Sequence, residues 1–156
     1  MKLLTVAVGT RMPRWVEEGF VEYAKRMPRT LPLELIEVRP EPRGEGRPVA
    51  QMLDAEAGRI ERAVPDGCLR VALDERGREL TSKALAHWLQ EQQRNATDVA
   101  FLIGGADGLA PTVKDKASML LRLSAFTLPH GLARLVLAEQ LYRASSILEG
   151  HPYHRA

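Results

Sequence analysis

Val99-Ala100-Phe101-Leu102-Ile103-Gly104-Gly105-Ala106-Asp107-Gly108 is the stretch on which the fold turns. A short apolar run bounded by turn residues reads as a buried strand. The glycines after it let the backbone turn sharply and let another group approach closely. In α/β proteins ligands collect outside the carboxyl ends of strands, so Gly104-Gly105-x-x-Gly108 is the first place to look for a pocket. The same residues also suit a tight strand-to-helix turn with no ligand, and this stretch alone does not separate the two.

Outward from this strand, elements alternate. Toward the N-terminus, Asn95 to Asp98 is a loop, preceded by a helix carrying Leu85, Trp88 and Leu89 with Thr81 or Ser82 as its cap. Cys68 to Leu73 is a strand ended by Asp74-Glu75-Arg76-Gly77, Pro65-Asp66-Gly67 is a turn, and Val49 to Ala63 is a helix with Met52, Leu53, Ala57 and Ile60 on one face. Arg39 to Pro48 holds three prolines and two glycines, which exclude a helix or central strand. Its arginines read as solvated or as contacts to a nucleic acid. Leu31 to Val38 is a strand, residues 13 to 26 an amphipathic helix, and Leu3 to Val8 the first strand.

Toward the C-terminus, Pro111 opens a short helix and Met119 to Leu123 forms a strand. Ser124 to His130 is a loop too apolar for one that lines nothing. Leu132 to Leu148 marks a last helix with Gly150 as its C-cap. This alternation predicts an α/β fold, a mostly parallel sheet flanked by helices, in a single domain over residues 1–156.

The chain has 156 residues, 45% hydrophobic and 27% charged, the make-up of an ordinary globular protein able to bury a core. A net charge of +2 gives no strong footprint for nucleic acid. The cations are mostly arginine, which binds phosphate and stacks on bases; arginine richness equally follows from the base composition of a genome. Cys68 is the only cysteine, so no internal disulfide or thiolate metal cluster is expected. The apolar N-terminus is short and lacks a cleavage pattern, so it reads as a strand, and no run approaches the length of a membrane span. A cytoplasmic protein is the expectation.

The chemistry narrows by elimination. No dinucleotide fingerprint and no phosphate-binding loop is present, so a ligand held by backbone groups without phosphates fits the Gly104 turn better. Pro152 spoils His151-x-x-His154 as a helical metal pair, and no metal is expected. No nucleophile elbow exists. His130 reads as a structural or a catalytic histidine. Arg134 and Arg143 read as surface charges, and Glu139, beside the apolar stripe, as a member of an ion pair. The tail His151-Pro152-Tyr153-His154-Arg155-Ala156 is either frayed or functional. Tyrosine stacks on a base, histidine takes a proton near neutrality, and arginine holds a phosphate or oxyanion.

Several motifs, in order along essentially the whole chain, resemble those of the ribosomal RNA large subunit methyltransferase H family, a branch of the SPOUT (trefoil-knotted) methyltransferases. They are Val6-Ala7-Val8-Gly9-Thr10, Met12-Pro13, Glu34-Leu35-Ile36-Glu37, Leu102-Ile103-Gly104-Gly105-x-x-Gly108-Leu109, Leu123-Ser124-Ala125-x-Thr127-Leu128-Pro129-His130, Leu141-Tyr142-Arg143-Ala144 and His151-Pro152-Tyr153-His154-Arg155. Ala106-Asp107 stands where the family pattern has Pro-Glu.

The resemblance implies methyl transfer from S-adenosylmethionine to N3 of a pseudouridine in helix 69 of bacterial 23S rRNA, on the assembled 70S ribosome. It implies a C-terminal trefoil knot and a homodimer in which the partner's tail completes the pocket. Leu73, Gly104, Gly105, Leu123, Ser124, Ala125, Phe126, Thr127 and Leu128 would hold the cofactor. His154, or Tyr153 with its pKa lowered by arginine, would take the N3 proton, and Arg143 or Arg155 would stabilise charge on the flanking carbonyls. A SPOUT methyltransferase with another RNA target, or a non-catalytic ribosome-binding factor of the same fold, are the rival readings.

Overall fold

The computed structural model describes residues 1–155. Its elements in chain order are β1 (Leu3–Val8), α1 (Arg14–Arg26), β2 (Leu33–Val38), α2 (Val49–Ala63), β3 (Leu69–Glu79), α3 (Ser82–Arg94), β4 (Val99–Ile103), α4 (Pro111–Lys116), β5 (Met119–Arg122) and α5 (His130–Glu149), followed by a 3-10 turn at Pro152–His154. The strands form one sheet in the order β2-β1-β4-β3-β5, and every pairing is parallel. This is the α/β architecture that the alternation predicts.

Residue pattern follows position in the sheet. β1 and β4 are buried along their whole length, and both read as continuous apolar runs broken only by Thr5. A parallel strand covered on both faces requires this. β2, at the edge, buries only its end residues Leu33 and Val38. Helices α1, α3 and α5 cover one face through Phe20, Leu89, Leu137 and Leu141, packed with Phe101. Helices α2 and α4 cover the other through Ile60 and Val113, packed with Leu102.

Boundaries differ from expectation for local reasons. β2 begins at Leu33 because Pro32 has no N–H and the Leu31 N–H turns back to the Pro28 carbonyl at 2.9 Å. β5 stops at Arg122, releasing Leu123 into the following loop, and α5 begins two residues early, at His130 behind Pro129. Thr81 caps α3 by accepting the Ala84 N–H at 3.0 Å, and Gly150 ends α5 in the left-handed region.

The largest correction concerns β3. Asp74-Glu75-Arg76-Gly77 does not end the strand. Leu73 and Arg78 both stand opposite Leu121, so residues 74–77 bulge out and the strand resumes. Gly77 makes the return possible. A Cβ there would lie 2.6 Å from the Leu120 carbonyl carbon, so only glycine lets the two backbones come this close.

The proline-rich segment is not simply solvated. Arg43 bonds the buried Glu56 at 3.1 Å and Asp107 at 3.0 Å, and Arg47 bonds Glu41 at 2.8 Å. Arg43 ties the loop to α2 and to the turn after β4, while Arg47 closes the loop on itself.

Candidate functional site

The bulge of β3 and the loops leaving β4 and β5 lie side by side and enclose an open cleft of about 700 Å³. Leu73 and the bulge residues Asp74 to Arg76 form one wall. Ile103 and Ala106 to Leu109 form a second, and Leu121 to Leu128 a third. Thus Leu73, Leu123, Ser124, Ala125, Phe126, Thr127 and Leu128 all line one space. Gly104 and Gly105 stand behind the second wall rather than on its surface. A Cβ on Gly104 would fall 2.3 Å from the Gly108 carbonyl carbon, so this glycine folds the turn that presents Ala106 to Leu109.

The third wall is apolar and braced. Arg122 bonds Glu79 at 3.0 Å and the Ser124 carbonyl at 3.1 Å, while the Ser124 hydroxyl accepts the Phe126 N–H at 2.9 Å. Phe126 lines this open cleft and is 84% exposed. On the first wall, Asp74 accepts the Arg76 N–H at 2.9 Å and pairs with Lys114 at 2.9 Å. Burial works against its carboxylate, but these partners outweigh it and hold the carboxyl below its ordinary range.

Arg134 is no surface charge. It is 1% exposed and reaches Glu37 at 2.6 Å, the Gly9 carbonyl at 2.9 Å and His130 Nε2 at 2.8 Å. His130 Nδ1 lies 2.9 Å from the Gly104 carbonyl oxygen. Burial and the neighbouring guanidinium push the imidazole pKa down, so the ring is neutral at neutral pH. The catalytic reading of His130 therefore yields to a structural one.

The tail is built on α5, away from this cleft. His151 Nδ1 accepts the Tyr153 N–H at 3.1 Å and caps the final turn. The Tyr153 ring packs on Tyr142 with centroids 4.5 Å apart, its hydroxyl donates to Glu139 at 3.1 Å, and the Arg143 guanidinium sits 5.0 Å from the ring centre. Arg143 also bonds Glu139 at 2.6 Å, so Glu139 is the ion-pair member that its place in the sequence suggests. Burial, the Tyr23 hydroxyl and the Glu139 carboxylate push the Tyr153 phenol up, not down. The expectation that arginine lowers it is not met: burial, Tyr23 and Glu139 all oppose ionisation. His154 Nδ1 is buried with no hydrogen-bond partner among the described residues, and Arg155 is exposed. None of Arg143, Tyr153, His154 and Arg155 lines the cleft of its own chain.

Sequence reasoning missed Asp74, Arg76, Asp107, Lys114 and Arg122. Asp74 and Arg76 sit in the β3 bulge, Asp107 in a turn and Arg122 at a strand end, where hydrophobic period carries no signal. No cluster of three potential metal ligands occurs among the described residues, and no helix there is long and apolar enough to cross a membrane.

The family model described as "Predicted SPOUT methyltransferase" covers residues 1–154, and the chain belongs to this family of methyltransferases. It is 60% identical over 155 residues to ribosomal RNA large subunit methyltransferase H of Ralstonia nicotianae, across 99% of each chain. It is 57% identical over 156 residues to the protein of that name from Bordetella pertussis, across 100% of each, which places it within that branch of the family. Its fold also matches a protein described as a probable methylase family member from Haemophilus influenzae. There the TM-score is 0.56 at 15% identity, over 99% of this chain and 70% of the other.

Proposed function

We propose that the chain moves the methyl group of S-adenosylmethionine to N3 of a pseudouridine in helix 69 of 23S rRNA, on the assembled 70S ribosome in the cytoplasm. It acts as a homodimer, the tail of each copy completing the cleft of the other. The substrate class rests on the printed name of the full-length relatives. One observation carries the arrangement: cleft and tail are separate within a single chain. α5 starts at the cleft with His130, and Tyr153 docks at Glu139, nine residues further on. At 1.5 Å per residue that is roughly 14 Å along the axis. A second copy brings a tail to each cleft. Threading of the chain after β5 through the neighbouring loops, the trefoil knot, belongs to the same proposal.

The cleft suits the donor. Its volume lies in the range of small-molecule sites, its floor is apolar at Leu73, Ile103 and Leu121, and its walls offer loop backbone in place of a phosphate cradle. The charged groups of its lining balance, Asp74, Glu75 and Asp107 against Arg76, Lys114 and Arg122. S-Adenosylmethionine, when bound, supplies an electrophilic methyl on a sulfonium. The protein's share is to hold N3 in line and to take its proton. Tyr153 keeps its own proton and serves as the anchor of the tail, which leaves His154 as the acceptor. Arg143 is committed to Glu139 and the Tyr153 ring, so Arg155 is the cation that meets the flanking carbonyl oxygens.

The test is mass spectrometry of helix 69 fragments from a strain lacking the protein and from its complemented counterpart. N3-methylpseudouridine should vanish in the first and return in the second. An unchanged methyl signal overturns the substrate. Failure of the intact protein to bind S-adenosylmethionine in calorimetry overturns the cofactor and favours a non-catalytic ribosome-binding role.

A further inference from the structure

Beside the cleft lies a polar cluster that the methyl transfer does not use. The Gly104 carbonyl can only accept a hydrogen bond, and the Arg134 guanidinium can only donate. The two contacts of His130 therefore fix its ring: Nδ1–H donates to the Gly104 carbonyl at 2.9 Å, and Nε2 accepts from Arg134 Nε at 2.8 Å. Arg134 is held in turn by Glu37 at the end of β2 and by the Gly9 carbonyl after β1. One imidazole and one guanidinium thus collect the carboxyl ends of three strands.

Both flanks of His130 lead into the cleft. Gly104 opens the turn that presents Ala106 to Leu109, and the chain before His130 is the wall from Leu123 to Leu128. Among the described residues, the His130–Gly104 bond is the one side-chain hydrogen bond joining these two walls.

We propose that His130, locked in one tautomer by Arg134, is a positioning residue that holds these two walls of the cleft in register and thereby sets its affinity for the methyl donor. The inference rests on the reading that this cleft takes S-adenosylmethionine. It requires the neutral ring. A protonated His130 would point Nε2–H at the Arg134 Nε–H, setting donor against donor and cation against cation. The charged groups facing it are Arg134 from α5 and Glu37 from β2, and its other polar partner is the Gly104 carbonyl. Burial and Arg134 keep the ring neutral at neutral pH, so the lock opens only in acid.

The experiment is calorimetry of S-adenosylmethionine on the full-length protein, with thermal melting alongside. His130→Leu removes both bonds, while His130→Asn keeps an N–H near the place of Nδ1. Losing a buried hydrogen bond should raise Kd about tenfold in His130→Leu, and His130→Asn should recover most of that affinity. A pH series on wild type and His130→Asn reads the same lock without a destabilised variant. Wild-type affinity should weaken as the pH drops below the ordinary imidazole value of about 6.5, with a flatter profile in the asparagine variant. Wild type that binds, with His130→Leu binding equally well and parallel pH profiles, overturns this inference alone. Loss of affinity that follows loss of melting temperature, with no recovery in His130→Asn, reduces the cluster to a structural role and also overturns it. Wild type that does not bind overturns the cofactor reading as well.

Discussion

The cleft and the tail are built by opposite means. The cleft is made of backbone from the β3 bulge and the loops leaving β4 and β5, and its shape depends on where that backbone can fold, as at Gly104 and Gly77. The tail is made of side chains laid on a helix that is already folded: Tyr153 on Tyr142, Tyr153 and Arg143 on Glu139. Damage to the backbone turns of the cleft should therefore be all-or-none, while side-chain contacts, in the tail as at His130, can be edited one group at a time.

The sharpest way to break this contrast is Gly104→Val. Its new Cβ would sit 2.3 Å from backbone with no flexible neighbour to yield. S-Adenosylmethionine binding should disappear from calorimetry, with a stability loss of about 3 kcal/mol or more in urea melts. Measurable affinity in this variant would show that the Gly104 turn is dispensable. His154→Ala should lower kcat on ribosomes on the order of 100-fold by removing the proton acceptor, while Kd for the donor stays at the wild-type value. An equal rise in Kd would merge the two regions into one.

Tyr153→Phe keeps the ring packing and removes only the hydroxyl bond to Glu139. A single hydrogen bond of about 1 kcal/mol predicts a fall in kcat of roughly fivefold. A full loss would instead make the phenol itself catalytic. The smallest effect is a pH slope. The folded state lowers the His130 pKa, so the unfolded chain binds the extra proton first. This contribution to stability is complete above about pH 6.5 and declines as the pH falls toward the folded value, by at most about 1.4 kcal/mol per unit. Urea melts of wild type against His130→Asn should isolate it.

The sheet was legible because β1 and β4 are uninterrupted apolar runs and the helices keep a clear stripe. The cleft was legible from Gly104 and from the unusual apolarity of the 124–128 loop. Other features were hidden by their chemistry. Asp74-Glu75-Arg76-Gly77 has the composition of a strand-ending turn, and only the close approach of Leu120 shows it to be a bulge. Arg134 looks like a surface cation because burial of an arginine is decided here by Glu37 on β2 and the Gly9 carbonyl after β1, distant in sequence. The Tyr153 shift depends on Tyr23 and Glu139 meeting in space, which no spacing encodes.

The β3 bulge has an evolutionary consequence. Because Leu73 and Arg78 share Leu121 as their partner, the four residues between them lie outside the pairing register. Residues can be inserted or exchanged at Asp74, Glu75 and Arg76 without slipping any strand, since both anchor points and the Gly77 contact stay fixed. Three of the four border the cleft. The rim is therefore the part of this fold where ligand preference can drift while the sheet, and the fold it specifies, stay constant.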